Sequence, residues 1–191
     1  MKCNAKKFFC LFLLSLIVAL PTGSYADDTV GPFGFGVGTN TIFDVQRQLN
    51  SSACDFDNIS AITDGFLFEC NSKVFDMEGI TGKVIFIFEK KPEGEMGNAK
   101  LELVNFTLNK HMYDSIVKSL SSKYKLVSQN KPFVGDASAR FKKNNVNILV
   151  DSPHLSFEMT VTYSTDNFDN AHQQYKKKQR EESAAKQKSQ L

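Results

Sequence analysis

Apolar and polar side chains alternate without a break from 155 to 163: Leu155, Phe157, Met159, Val161 and Tyr163 against Ser156, Glu158, Thr160 and Thr162. A period of two means a β-strand with one apolar and one wet face, as in antiparallel sheets covered on one side. Phe157, Met159 and Val161 are expected in the core. Shorter strand patterns occupy 66–69, 83–89, 100–107, 124–127, 139–142 and 146–150. The Val-Ile-Phe-Ile-Phe run inside 83–89 is apolar on both faces and is expected to be central or covered by a helix, paired with 100–107. Lys143-Asn144-Asn145 and Ser152-Pro153-His154 supply turns.

Two segments carry the helical period. Over 41–49 Thr41 is placed to cap, with Asp44 three residues on in a capping-box arrangement, and Ile42, Val45 and Leu49 share a face before Asn50-Ser51-Ser52 stops the helix. After Asn109, a second candidate cap, Tyr113, Ile116, Val117 and Leu120 share a face until Ser121-Ser122. The chain thus reads helix then strands, twice. Ile42-Phe43-Asp44 is similar to Met112-Tyr113-Asp114, 70 residues on; internal duplication and chance similarity of two amphipathic helices both account for that. The expected fold is α+β: a largely antiparallel sheet, two short packed helices and a charged C-terminal helix or tail.

Four segments follow. Residues 1–26 have a basic start (Lys2, Lys6, Lys7), an apolar run from Phe8 to Leu20 and the small-residue end Ser24-Tyr25-Ala26. That is the layout of a secretory signal cleaved after Ala26, and its apolar run falls short of the ~20 residues that span a bilayer. Residues 27–38 alternate glycines with Phe33, Phe35 and Val37 as an exposed lead-in packing on the sheet edge. Residues 39–164 form the α+β domain, with halves 39–107 and 108–164 if duplicated. Residues 165–191 are rich in Gln, Lys, Glu and Ala; Phe168, Ala171 and Tyr175 give the first turns one apolar face. Beyond Tyr175 there is no apolar stripe, so a solvated tail is expected; a weak contact of Lys176, Lys177, Lys178 and Arg180 with anionic lipid or an acidic partner is the alternative.

Cleavage changes charge and cysteine count. Loss of three lysines and no acid takes the formal charge from +2 to −1, which removes any general attraction to nucleic acid. Cys54 and Cys70 alone remain, and in an oxidising compartment they are expected to form a disulfide closing a loop worth about 3 kcal/mol by the loop-entropy argument.

The chemistry-bearing residues do not converge on a reaction. His111, His154 and His172 lack metal-ligand spacing, and Asp55-Phe56-Asp57 is followed by Ile59 and Ser60 where a calcium loop needs a polar ligand and glycine. No Gly-x-Ser-x-Gly elbow occurs, and the glycines of 31–38 lack the strand and lysine of a phosphate loop. No catalytic, cofactor or metal residue is assigned and no cofactor is expected. Asn50, Asn58 and Asn105 lie in Asn-x-Ser/Thr sequons, which matter only in a eukaryotic secretory pathway. Between the strands at 83–89 and 100–107 lies a polar tip, Lys90-Lys91-Pro92-Glu93-Gly94-Glu95-Met96-Gly97-Asn98, longer than a tight turn needs. Lys90, Lys91, Pro92, Glu93, Glu95 and Met96 are the candidate partner contact, Pro92 and Met96 expected exposed.

Gly38-x-Asn40-Thr41 opening a short helix before a sheet resembles the small envelope domains of the BamE (SmpA/OmlA) group. So does the Leu120…Lys123-Tyr124 helix end followed by a meander closing on Met159-x-Val161-x-Tyr163. The doubling resembles the β-lactamase inhibitor protein family, with two helix-plus-sheet units in tandem. The likeness spans 38–163 and implies an exported, non-enzymatic domain that binds another protein, as an envelope assembly factor or an inhibitor or immunity protein. The alternative is an exported hydrolase whose site is assembled from scattered carboxylates and His111 or His154.

Overall fold

The computed structural model describes residues 29–49, 54–56, 59–62 and 65–188. The expected signal at 1–26, the helix stop at Asn50-Ser51-Ser52 and the sequons at Asn50 and Asn58 lie outside the described residues. The strands are β1 (Ser60–Ile62), β2 (Gly65–Asn71), β3 (Ile80–Glu89), β4 (Leu101–Asn109), β5 (Lys125–Asn130), β6 (Ala137–Lys143), β7 (Val146–Ser152) and β8 (Glu158–Thr165). The helices are α1 (Ile42–Gln48), α2 (Tyr113–Ser121) and α3 (Asp166–Lys188). All eight strands join one antiparallel sheet in the order β1-β2-β3-β4-β8-β7-β6-β5. Each half of that order is a meander preceded by one short helix, and the two meet edge to edge at β4 and β8.

Register explains the core. Directly paired residues run across the sheet as Phe68, Phe86, Val104, Tyr163, Ile148, Phe141 and Leu126, one from each strand from β2 to β5. Paired residues share a face, so this row defines the inner face, and all but Leu126 are buried. Cover comes from several elements. Phe35 meets Phe86 edge-on at 5.5 Å and Phe33 sits between Phe75 and Phe106. α1 buries Ile42 and Val45; α2 buries Tyr113, Val117 and Leu120 over β6 and β7.

Local chemistry sets the helix starts. At α1 the Asp44 backbone N–H donates to Thr41 Oγ1 (3.3 Å) and the Thr41 N–H donates to Asp44 Oδ2 (2.8 Å), closing the expected capping box. Those Thr41 hydrogen bonds hold the Asp44 carboxyl below its ordinary value. Asn109 does not cap α2; it leads a 3-10 turn, Lys110–Met112, and α2 begins at Tyr113 without a side-chain cap. Cys54 and Cys70 are disulfide-bonded, 16 residues apart, and tie the chain after α1 to β2.

Two expectations change, and an open one is resolved. The strand expected over 155–163 starts at Glu158 and runs to Thr165. Met159, Val161 and Tyr163 are buried, but Phe157 and Leu155 are each 93% exposed. β7 ends at Ser152, β4 ends opposite Glu158, and Ser156 N–H donates to the Pro153 carbonyl in a turn. The alternation therefore continues past the point where the sheet has neighbours. The lead-in is not an exposed segment at the edge; Val30, Phe35 and Val37 are core. A third helix, α3, occupies the expected helix-or-tail segment.

Candidate interaction surface

The outer face has a different register row: Leu67, Ile87, Leu103, Ser164, Asn147, Lys142 and Lys125, again one residue per strand from β2 to β5. It is apolar across β2, β3 and β4 and turns polar and then cationic across β8, β7, β6 and β5. The next row, Glu69, Ile85, Asn105, Thr162, Leu149 and Arg140, mixes the two characters. Asn105 Nδ2 donates to Thr162 Oγ1 at 2.7 Å across the seam between the halves.

α3 meets this face through polar groups. Lys142 Nζ donates to both carboxylate oxygens of Asp166 (2.7 and 2.9 Å), and Asn147 Nδ2 reaches Asp166 (2.8 Å) and Asp169 (2.7 Å). The Lys142 hydrogen bond holds the Asp166 carboxyl below its ordinary value. Thr165 Oγ1 donates to Glu102 and accepts from the Phe168 N–H at 3.1 Å. Burial pushes the Glu102 carboxyl up, against the hydrogen bond from Thr165. Leu103 and Ser164 are buried where α3 rests on β4 and β8. From Gln173 onward every described residue of α3 is exposed. A cleft of about 610 Å³ lies between this helix and the sheet, with Arg140, Asn147, Leu149, Thr162, His172 and Lys176 on its walls.

Leu67, Ile85 and Ile87 remain partly exposed beyond the reach of these contacts. Lys83 pairs with Glu69, and Lys91 with Glu89 at 3.2 Å, along the border of this apolar area. An apolar centre with a polar rim is the anatomy of a recognition surface.

The loop expected to make the contact is more structured than a free tip. Its second part is a 3-10 helix, Glu93–Asn98, packed beside α1. A Cβ on Gly97 would fall 2.1 Å from the Phe43 ring. Met96, expected exposed, is half-buried and its flexible thioether side chain packs against the core. Lys90, Pro92 and Glu95 are exposed and Lys91 is partly buried; the Glu93 side chain lies outside the described set.

A second surface had no place in the sequence reading. The β5–β6 turn carries Phe133 (104% exposed) and Val134 (67%); the β7–β8 turn carries Leu155 and Phe157. The two turns are joined: His154 N–H donates to Asp136 Oδ1 at 2.7 Å, and Gly135 N–H to His154 Nδ1 at 3.4 Å. Lys110 Nζ donates to the carbonyls of Pro153 and His154 behind them. The available signal was Pro132-Phe133-Val134-Gly135, an apolar pair set in turn-forming residues.

Among the described residues no three His, Cys, Asp or Glu gather as a metal site. His111 and His154 lie on the exposed surface near the second helix and the β7–β8 turn. Comparison with protein families, with curated proteins and with solved structures finds no match.

Proposed function

We propose that the chain is an exported, non-enzymatic protein-binding domain that engages its partner through the apolar half of the outer sheet face. The observation that carries this reading is the pair Ile85 and Ile87. They lie on a central strand whose other side, Val84, Phe86 and Phe88, is fully buried, yet they remain partly open to solvent with Leu67 beside them. A strand apolar on both sides in the middle of a sheet is normally covered on both, so the missing cover points to a partner with an apolar surface of its own. Lys90, Pro92 and Glu95 at the end of β3 extend the proposed contact.

The disulfide is consistent with an oxidising, exported location. Within it, periplasmic placement or secretion after cleavage following Ala26 is part of the proposal. The mirrored strand order supports reading 39–107 and 108–164 as a tandem duplication. The resemblance to the BamE group and the β-lactamase inhibitor protein family, and with it a role as assembly factor, inhibitor or immunity protein, is part of the same proposal.

The test is capture from a native envelope extract with the oxidised protein as bait. Wild type should retain a stoichiometric protein that Ile85→Thr/Ile87→Thr does not, with the variant's melting temperature close to wild type. A partner held equally by the variant would overturn the assignment of the face. Hydrolytic turnover that vanishes on changing one carboxylate would overturn the non-enzymatic reading.

A further inference from the structure

We propose that the paired β5–β6 and β7–β8 turns form a wedge that inserts into the interface of a lipid bilayer. Phe133, Val134, Leu155 and Phe157 stand clear of the body, three of them more than nine-tenths exposed. Exposed clusters of large apolar side chains mark protein or membrane contacts, and three features favour the membrane.

The first is shape. The cluster caps two adjoining turns and protrudes; the clefts beside α1, under α3 and between the lead-in and α2 include none of the four residues. A rigid partner would need a separate pocket for each tip, whereas a fluid interface conforms to both. The second is preorganisation. The hydrogen bonds between His154, Asp136 and Gly135 hold the tips side by side, so neither has to be ordered on insertion.

The third is the collar. Behind the apolar tips stand Lys110 and Lys131 together with Asp114 and Asp136, with Lys131 ion-paired to Asp114 and lying over the Tyr113 ring. Both signs are present in near balance, which suits the paired charges of zwitterionic headgroups and gives no preference for anionic lipid. The apolar payload of two phenylalanines, a leucine and a valine is comparable to that of one myristoyl chain, whose partition constant is on the order of 10⁴ M⁻¹. Association is therefore reversible. No described helix is long and apolar enough to cross a membrane, so the wedge accounts for contact at the interface, not for spanning.

The chain contains no tryptophan, so Phe133→Trp and Phe157→Trp each give a single reporter. With uncharged phosphatidylcholine vesicles, both should shift their emission to the blue and be quenched by lipids brominated high in the acyl chain. Wild type should float with the same vesicles equally at low and high salt. The quadruple variant Phe133→Ser/Val134→Ser/Leu155→Ser/Phe157→Ser should lose at least tenfold in partitioning while melting near wild type, because none of the four side chains is in the core. Truncation from Lys176 should leave flotation unchanged. The proposal is overturned by absence of flotation and of a blue shift, or by flotation that survives the quadruple change. It is equally overturned by binding confined to anionic vesicles and lost with salt or with the tail, which would mean basic-tail contact alone. A soluble protein partner lost in the quadruple variant, with no vesicle binding by wild type, would make the tips a protein contact instead.

Discussion

Phe157 and Met159 belong to one alternation yet should answer truncation in opposite ways. Met159 is fully buried between β4 and β7, and Met159→Ala should cost about 2–5 kcal/mol in a denaturant titration. Phe157→Ala should fall within about 0.5 kcal/mol of wild type, as expected of an exposed site. A large loss at Phe157 would mean that its side chain is covered in solution. Glu102 offers a second residue-scale test. Burial raises its folded value above the unfolded one, so its contribution to stability is present at low pH, below the unfolded value, and is lost as pH rises through the folded value. Asp166 runs the other way: its lowered value stabilises above the ordinary aspartate range, and that is lost as pH falls. Glu102→Gln should therefore gain most over wild type at neutral pH and least in acid, read as melting temperature against pH. An equal gain at both ends would place the effect in packing, not in charge. Phe157 also shows where reading alternation stops working: a period of two reports the strand's own preference, not the end of its neighbours.

At the scale of elements, α3 is anchored at one end only. Its first turn holds Lys142, Asn147, Thr165 and Glu102 in one polar cluster, while residues from 173 onward are exposed. Removing everything from Lys176 should leave the melting temperature nearly unchanged; a fall of many degrees would show that the distal turns dock. The strands that pair by short turns were legible from composition, as was the capping box of α1, because each is specified by residues close in sequence. β1 was not, since three residues carry too little pattern. Nor was the structure of 90–98, whose 3-10 turn owes its position to α1, about 50 residues earlier in the chain. The candidate surface was legible only in part: Val-Ile-Phe-Ile-Phe announced a strand with two apolar sides, but which side is covered depends on where the lead-in, α1 and α2 pack. The apolar turns escaped for two reasons: Phe133 and Val134 sit among turn-forming residues that read as solvent-facing, and Leu155 and Phe157 continue the alternation of the strand that follows them.

On the scale of the molecule, the inner face is continuous and the outer face is divided. One register row keeps large apolar residues across nearly the whole sheet, while its counterpart passes from leucine and isoleucine to lysine. The division lets one sheet carry a partly exposed apolar area and a polar seat for α3. The apolar turns sit at an end of the second half, away from the start of α3 at the other end of β8, so partner capture and vesicle binding should be separable. Ile85→Thr/Ile87→Thr should abolish the first and spare the second.

The mirrored strand order also bears on how the chain assembles. β8 is the eighth strand to be synthesised, yet it lies in the middle of the finished sheet, between β4 and β7. Until it is in place the first meander has an open edge along β4, where Val104, Phe106 and Leu108 wait for Tyr163, Val161 and Met159. Each meander closes through near neighbours, but the seam joins segments separated by the entire second half, the kind of closure that comes late and leaves strand edges vulnerable meanwhile. In a chain delivered from its first residue, β4 is thus the edge that waits longest for its partner, and it is the same edge that later unites the two halves.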